Sequence, residues 1–321
     1  MEKIRFGIIG LGRVGERLVH AISASKNAEL WSVYSRSITR AEALAQKYQA
    51  RGPSPAFNDL DAMLSDMDLD AVIVSTPDNI HFESIERACR YGKHVLVEKP
   101  LVTDIQQGRR SVELSKECSV KLGVAYHLRF EPNLRLLANR IHSGEIGKIH
   151  HISMHWAYHF PPTENWRSKR DLGRFWSLSA LGTHMLDLIR WYLLPSCGEV
   201  VELKGMTTRT RLKSQNDESA MALFKFESGA TAELVSSIHY DHRLSLEIFG
   251  SDGFAKGYEI TGDDSVNPVI INGSPIIVAD QNPYVGEIED FAEAILKNRD
   301  PEVTAAEGLR NLELLLQIDP T

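Results

Sequence analysis

The chain has 321 residues, 43% hydrophobic and 25% charged, a balance that excludes a mainly disordered polymer and supplies apolar surface for two domains. Its 36 basic residues face 43 acidic ones, a net charge of −7 without a basic stripe, so nucleic acid is not the expected partner. Three scattered cysteines, Cys89, Cys118 and Cys197, form neither a disulfide framework nor a zinc knuckle, and the charged start and strand-length apolar runs point to a cytoplasmic protein without a membrane partner.

In chain order, Ile4–Ile9 reads as a strand, a glycine turn follows, and Val14–Ala24 reads as a helix. Glu29–Tyr34 is strand-like and Thr39–Tyr48 helical. Asp70–Ser75 is a buried strand, Ile80–Tyr91 a helix, His94–Val97 a strand, Asp104–Cys118 a helix, and Val120–Ala125 closes the series. Continuous apolar strands alternating with helices predict a Rossmann-type doubly wound parallel sheet over residues 1–125. Beyond it come longer strands, at Ile149–Phe160, Val200–Thr208, Ser219–Phe226, Ala230–His239 and Leu244–Gly250. Helical patterns continue at Gly182–Leu194, Val285–Lys297 and Ala305–Gln317, while Thr210–Glu218 and Asp263–Ser274 read as loops. Residues 126–321 are thus expected to form an α+β domain with a large, mostly antiparallel sheet.

Gly10-Leu-Gly12-Arg13-Val14-Gly15 links the first strand to the first helix. There Gly10 permits the tight turn, Gly12 lets backbone approach a pyrophosphate, and Gly15 allows close helix–strand packing. The helix N-terminus then offers free N–H groups to the anion. The second strand of such a unit usually ends in a carboxylate that holds an NAD ribose. This one runs into Ser35-Arg36-Ser37, with Arg40 a turn later. A guanidinium beside small hydroxyls suits a 2′-phosphate, so NADP(H) is the preferred cofactor here and NAD(H) a possible one.

Ser75-Thr76-Pro77-Asp-Asn79-Ile-His81 and Glu98-Lys99-Pro100 follow buried strands. With Ala125-Tyr-His127-Leu-Arg129-Phe130, Ser143–Ile149, Trp166-Arg167, Gly182-Thr-His184-Met-Leu-Asp187 and Glu227-Ser-Gly229-Ala230, they make nearly the whole chain resemble the glucose–fructose oxidoreductase / inositol dehydrogenase / MocA family of NAD(P)-dependent sugar and cyclitol dehydrogenases. The resemblance implies that Ser75, Thr76, Pro77, Asn79, His81 and Arg129 contact the cofactor and that Glu98 holds the nicotinamide ribose. It implies that Lys99 and His184 are catalytic, sharing the proton of the reacting hydroxyl. An ammonium beside a cationic nicotinamide sheds its proton more readily, and histidine ordinarily titrates near neutral pH. A homodimer or homotetramer is expected on the same grounds.

Two places depart from the family pattern: Ala180 occupies the place of an expected Asp, and Arg174-Phe175-Trp176 replaces a run of glycines. That substitution leaves two alternatives to a sugar or polyol dehydrogenase, a cofactor-binding sensor with little turnover and a reductase of imine or tetrapyrrole type. His127, His155, Tyr158, Trp166, Arg167, Trp176 and His184 are the candidate substrate contacts. His151, His155 and His159 share one face of a strand, yet residues four apart lie roughly 13 Å from each other, too far for two of them to reach one zinc ion, so no metal is expected.

Overall fold

A computed structural model describes residues 2–160, 165–212, 214–260, 268–279 and 281–319. In the N-terminal part, β1 (Ile4–Ile9), α1 (Arg13–Ala24), β2 (Ala28–Tyr34), α2 (Ile38–Lys47), β3 (Ala56–Phe57), α3 (Leu60–Leu64), β4 (Ala71–Val74), α4 (His81–Arg90), β5 (His94–Glu98), α5 (Ile105–Glu117) and β6 (Leu122–Ala125) succeed one another. Their strands form a six-stranded sheet in the order β3-β2-β1-β4-β5-β6, every pair parallel. This is the doubly wound order, and it sets the carboxyl ends of β1, β4 and β5 side by side at one edge. Both faces are covered, so the strands are apolar throughout: all four residues of β4 are buried. Helix starts follow local chemistry, as where Asp104 caps α5 by accepting the N–H groups of Gln106 and Gln107.

The chain continues through α6 (Pro132–His142), β7 (Ile149–Ala157), a π-helical turn Leu178–Gly182, α7 (Thr183–Cys197), β8 (Val200–Thr208), β9 (Ser219–Phe226), β10 (Thr231–Ser237), β11 (His242–Gly250), β12 (Phe254–Gly257), β13 (Val269–Ile271) and β14 (Ser274–Ile276), then α8 (Pro283–Leu296) and α9 (Ala305–Ile318). The second sheet has eight strands in the order β14-β13-β12-β11-β7-β10-β9-β8, antiparallel except for the β7–β10 pair. Side chains alternate across it between register shifts at Val200/Glu202, His242/Ser245 and Phe249/Gly250. Gly205, Ala222, Leu234, Met154 and Leu246 lie in one cross-strand row on the packed face, and the row one residue along, Met206, Met221, Val235, His155 and Ser245, lies on the other.

Two compact units result, Met1–His127 with Asn282–Leu312, and Leu128–Gln281 with Glu313–Thr321. After the second sheet the chain thus returns to the first unit. The reason is the apolar face of α8, where Ile288, Phe291 and Ala292 join the core of Phe6, Ile8, Leu18, Val19 and Ile22. Most expected elements occur within a few residues of their expected bounds. The elements absent from the sequence reading are β3 and α3, too short to show a period, α6, β12, and the hairpin β13–β14. That hairpin overlaps the expected loop at 263–274, of which residues 263–267 lie outside the described ones.

Candidate active site

In the first unit the glycine turn is shaped by steric necessity. Gly10 has φ +96°, and a Cβ there would lie 2.7 Å from the Ser75 carbonyl oxygen. A Cβ on Gly15 would lie 2.5 Å from the Gly10 carbonyl oxygen, whereas one on Gly12 would meet nothing within 4 Å. Gly10 and Gly15 thus close the turn, and Gly12 leaves an open approach at the start of α1. The Ser75 hydroxyl donates to the Gly10 carbonyl at 2.6 Å, tying β4 to the turn. Next to it the buried Thr76 Oγ1 has no hydrogen-bond partner among the described residues, as expected of a group reserved for a ligand. The donors and the open approach fit a dinucleotide.

Arg13 and Val14 open α1, and Arg36 lies exposed between β2 and α2. The Ser35 hydroxyl accepts the N–H of Ser37, the residue that caps α2. Arg40, by contrast, donates to the Leu11 carbonyl and so braces the glycine turn. His81 is also committed: its buried ring bridges the carbonyls of Thr76 and Pro100, each at 3.0 Å. Those contacts fix the segments carrying Thr76-Pro77 and Lys99-Pro100, making His81 a brace between them. Asn79 lies in the short 3₁₀ turn Asp78–Ile80 that precedes α4.

Glu98 and Lys99 are both buried at the end of β5, and the Glu98 carboxylate accepts the Lys99 N–H at 3.2 Å. His127 is half-buried and stacks on Tyr284 with ring centroids 4.3 Å apart. Burial, and after it the charges of Lys99 and Arg17, pushes His127 down to about 3, so its ring stays neutral near pH 7. Burial, followed by the charge of Glu98, pushes the Tyr284 phenol up, and Arg17 hydrogen-bonds to it. Arg17 and Tyr284 were not foreseen. They lie far from Lys99 in sequence, and only the return of α8 to the first unit brings Tyr284 beside His127 and Glu98.

In the second unit, His184 is the second residue of α7, is buried, and lies 5.9 Å from the Trp156 ring. Trp156 and Met154 share the packed face of β7, so strand alternation puts His155 on the opposite, open face. There His155 stacks on His242 at 4.0 Å and binds the Tyr240 hydroxyl at 3.0 Å. His155 and the Trp156 that neighbours His184 thus lie on opposite faces of the sheet. The Arg129 guanidinium makes a bidentate pair with Asp187, at 2.8 and 2.7 Å, and both side chains are buried. A fork held by a carboxylate in that way fixes the guanidinium in place.

Tyr158 is exposed and packs edge-on against Phe160, which in turn packs against Trp176. Trp176 is fully buried, and its indole Nε1 has no partner among the described residues. Trp166 and Arg167 stand together in a 3₁₀ turn, the guanidinium 4.1 Å from the indole centroid. Arg174 lies 5.7 Å from the ring of Phe175, and Ala180 sits within the π turn, its N–H donating to the Trp176 carbonyl at 2.8 Å. No cluster of three or more His, Cys, Asp or Glu side chains suited to a metal occurs among the described residues, and no described helix is long and apolar enough to cross a membrane.

Comparison with known proteins agrees with this geometry. Residues 4–126 match the oxidoreductase family with an NAD-binding Rossmann fold, and residues 134–256 match the GFO/IDH/MocA C-terminal domain. Among curated proteins, the chain is 29% identical to the scyllo-inositol 2-dehydrogenase (NAD(+)) of Bacillus subtilis, over 98% of this chain and 92% of that one. It is 26% identical to the 1,5-anhydro-D-fructose reductase of Ensifer adhaerens, over 96% and 93%. Among solved structures, the aldose-aldose oxidoreductase of Caulobacter crescentus superposes with a TM-score of 0.90 at 22% identity, over 99% and 96%, a likeness of fold.

Proposed function

The chain belongs to the GFO/IDH/MocA family of oxidoreductases with an NAD-binding Rossmann domain, and from that premise we propose that it moves a hydride between a nicotinamide and a secondary alcohol or ketone of a sugar, cyclitol or related polyol. The observation that carries this reading is the alignment at one sheet edge of the glycine turn after β1, Ser75-Thr76 after β4, and buried Glu98-Lys99 closing β5. The coenzyme, when bound, supplies the hydride chemistry. The chain's own residues do the rest: Gly12 and the α1 N-terminus receive the pyrophosphate, Thr76 offers its free hydroxyl, and Glu98 accepts from the ribose. Lys99 and His184 hold and move the proton of the reacting hydroxyl.

NADP(H) is the preferred form in this reading. Arg36 is exposed where a ribose carboxylate would otherwise stand, while Arg40 is occupied with Leu11. Among the substrate candidates, Trp166, Arg167 and Tyr158 combine stacking surface with polar ends suited to hydroxyl-rich rings. A sensor without turnover is not favoured, since Lys99 and His184 are both present despite Ala180, and neither is an imine or tetrapyrrole reductase. The open face of the second sheet exposes Met206, Met221, Leu223, Phe249 and Phe254, and we assign it to contact between copies of this chain.

The test is a panel of cyclitols, aldoses and anhydro-sugars assayed for reduction of NADP⁺ and NAD⁺. Turnover of at least one is expected, and Lys99→Ala should lower kcat by at least ~100-fold, the scale of a lost acid–base group. Undiminished turnover by that variant would remove Lys99 from the chemistry.

A further inference from the structure

Three consecutive polar residues between β8 and β9, Asn216, Asp217 and Glu218, have no solvent exposure. The sequence reading leaves them in an unremarked loop, yet each grips a different segment. The Asn216 amide donates to the carbonyls of Arg167 and Gly173, at 2.7 and 2.6 Å, closing the loop that carries Trp166 and Arg167. The Glu218 carboxylate accepts backbone N–H groups from Thr210, Arg211, Leu212 and Ser214, at 2.7–3.2 Å.

Asp217 takes the third segment. Its carboxylate accepts the N–H of Trp176 at 2.7 Å, the N–H of Leu178 at 2.8 Å and the hydroxyl of Ser177 at 2.5 Å. Its own carbonyl accepts the Ser177 N–H at 3.1 Å. Ser177 Oγ lies 3.1 Å from Ser236 Oγ, on the packed face of β10, so the clasp is anchored to the sheet. Four hydrogen bonds thus fix residues 176–178, directly before the π turn Leu178–Gly182 that leads into His184. A π turn is rare and frequently marks a functional position. This one is also tightly confined, because a Cβ on Gly182 would lie 2.9 Å from Leu178 Cδ2.

We propose that Asp217 is a positioning residue for His184, holding residues 176–178 so that the π turn delivers the imidazole in one fixed setting. This rests on the assignment of proton transfer to His184. A carboxylate is the right group because all three of its partners are donors. An amide offers a single acceptor oxygen, and its NH₂ would meet one of those donors head-on, leaving buried N–H groups without partners.

The test uses the full chain with Asp217→Asn, and with Ser177→Ala as a milder lesion that keeps both backbone N–H bonds. Carbon-13-labelled histidine reports the His184 ring by NMR through the ring current of Trp156, His184→Gln supplying the assignment. In Asp217→Asn the His184 resonance should move and kcat fall by about 10- to 100-fold, the scale of a reacting group displaced by about an ångström. Affinity for the dinucleotide, held by the other unit, should stay within about twofold. Ser177→Ala should fall between that variant and wild type, and it decides the matter if Asp217→Asn does not fold. An unmoved His184 resonance, or a kcat lost only in proportion to the unfolded fraction, overturns the proposal. The NMR readout needs no turnover, so an inactive wild type would count against hydride transfer alone, and an unmoved resonance in an active enzyme against Asp217 alone.

Discussion

Arg36, Arg40, Arg129 and His81 are four basic side chains that resemble one another as candidate ligands in the sequence and differ completely in the fold. Arg40, Arg129 and His81 each hydrogen-bond protein acceptors, whereas Arg36 is exposed beside the end of β2. A charge-assisted hydrogen bond to a phosphate contributes ~1.5–3 kcal/mol, about tenfold or more in affinity. NADPH should therefore bind more tightly than NADH, and Arg36→Ala should weaken NADPH by about tenfold while leaving NADH within about twofold. Titration calorimetry of both cofactors against both proteins checks this; tighter NADH binding by wild type would sink it. That Arg36 stands where a carboxylate is usual was legible in the sequence. That Arg129 is clamped to Asp187, 58 positions away, was not, because an ion pair at that separation leaves no local pattern.

The first glycine turn shows how much an element's chemistry can be read from spacing. Gly10 and Gly15 are required by close approach to Ser75 and to each other, and Gly12 by the space left in front of it. The two kinds of requirement separate experimentally. Gly15→Ala places a methyl 2.5 Å from a backbone oxygen that cannot swing aside, and should lower the melting temperature of the cofactor-free protein. Overpacking of this kind costs ~1–3 kcal/mol. Gly12→Ala meets no atom, so it should leave the melting temperature unchanged while weakening dinucleotide binding. Calorimetric melting and cofactor titration on both variants provide the comparison, and equal destabilisation would refute the division. Elements shorter than a period, such as β3 with two residues and α3 with five, were illegible for the opposite reason: too few residues to repeat.

At the scale of the molecule, the second sheet carries exposed apolar side chains on one face. Leu223 and Met206 are each 58% exposed, and Phe249 44%, on a surface otherwise built from Lys204, Lys225, Glu233 and Glu247. Apolar side chains grouped on a flat, polar-rimmed sheet are an interface signature. Sedimentation should find the wild type as a dimer or larger, and the double variant Met221→Glu, Leu223→Lys should sediment as a monomer. A monomeric wild type would leave this face unexplained.

The residue order by itself determined the architecture, the glycine turn with its nucleotide, and the identity of Lys99 and His184 as the candidates for chemistry. The architecture and the turn rest on periods of two or 3.6 residues and on short runs, which survive in one dimension, while Lys99 and His184 follow from the family resemblance those motifs carry. Only the tertiary structure decided which face His155 occupies, that α8 returns Tyr284 to the first unit, and that Asn216-Asp217-Glu218 is a buried hub. A strand's facing depends on which side the helices cover, and a buried carboxylate's purpose depends on donors 39 to 41 positions away. Those are properties of packing, and packing is settled only when the chain has closed on itself.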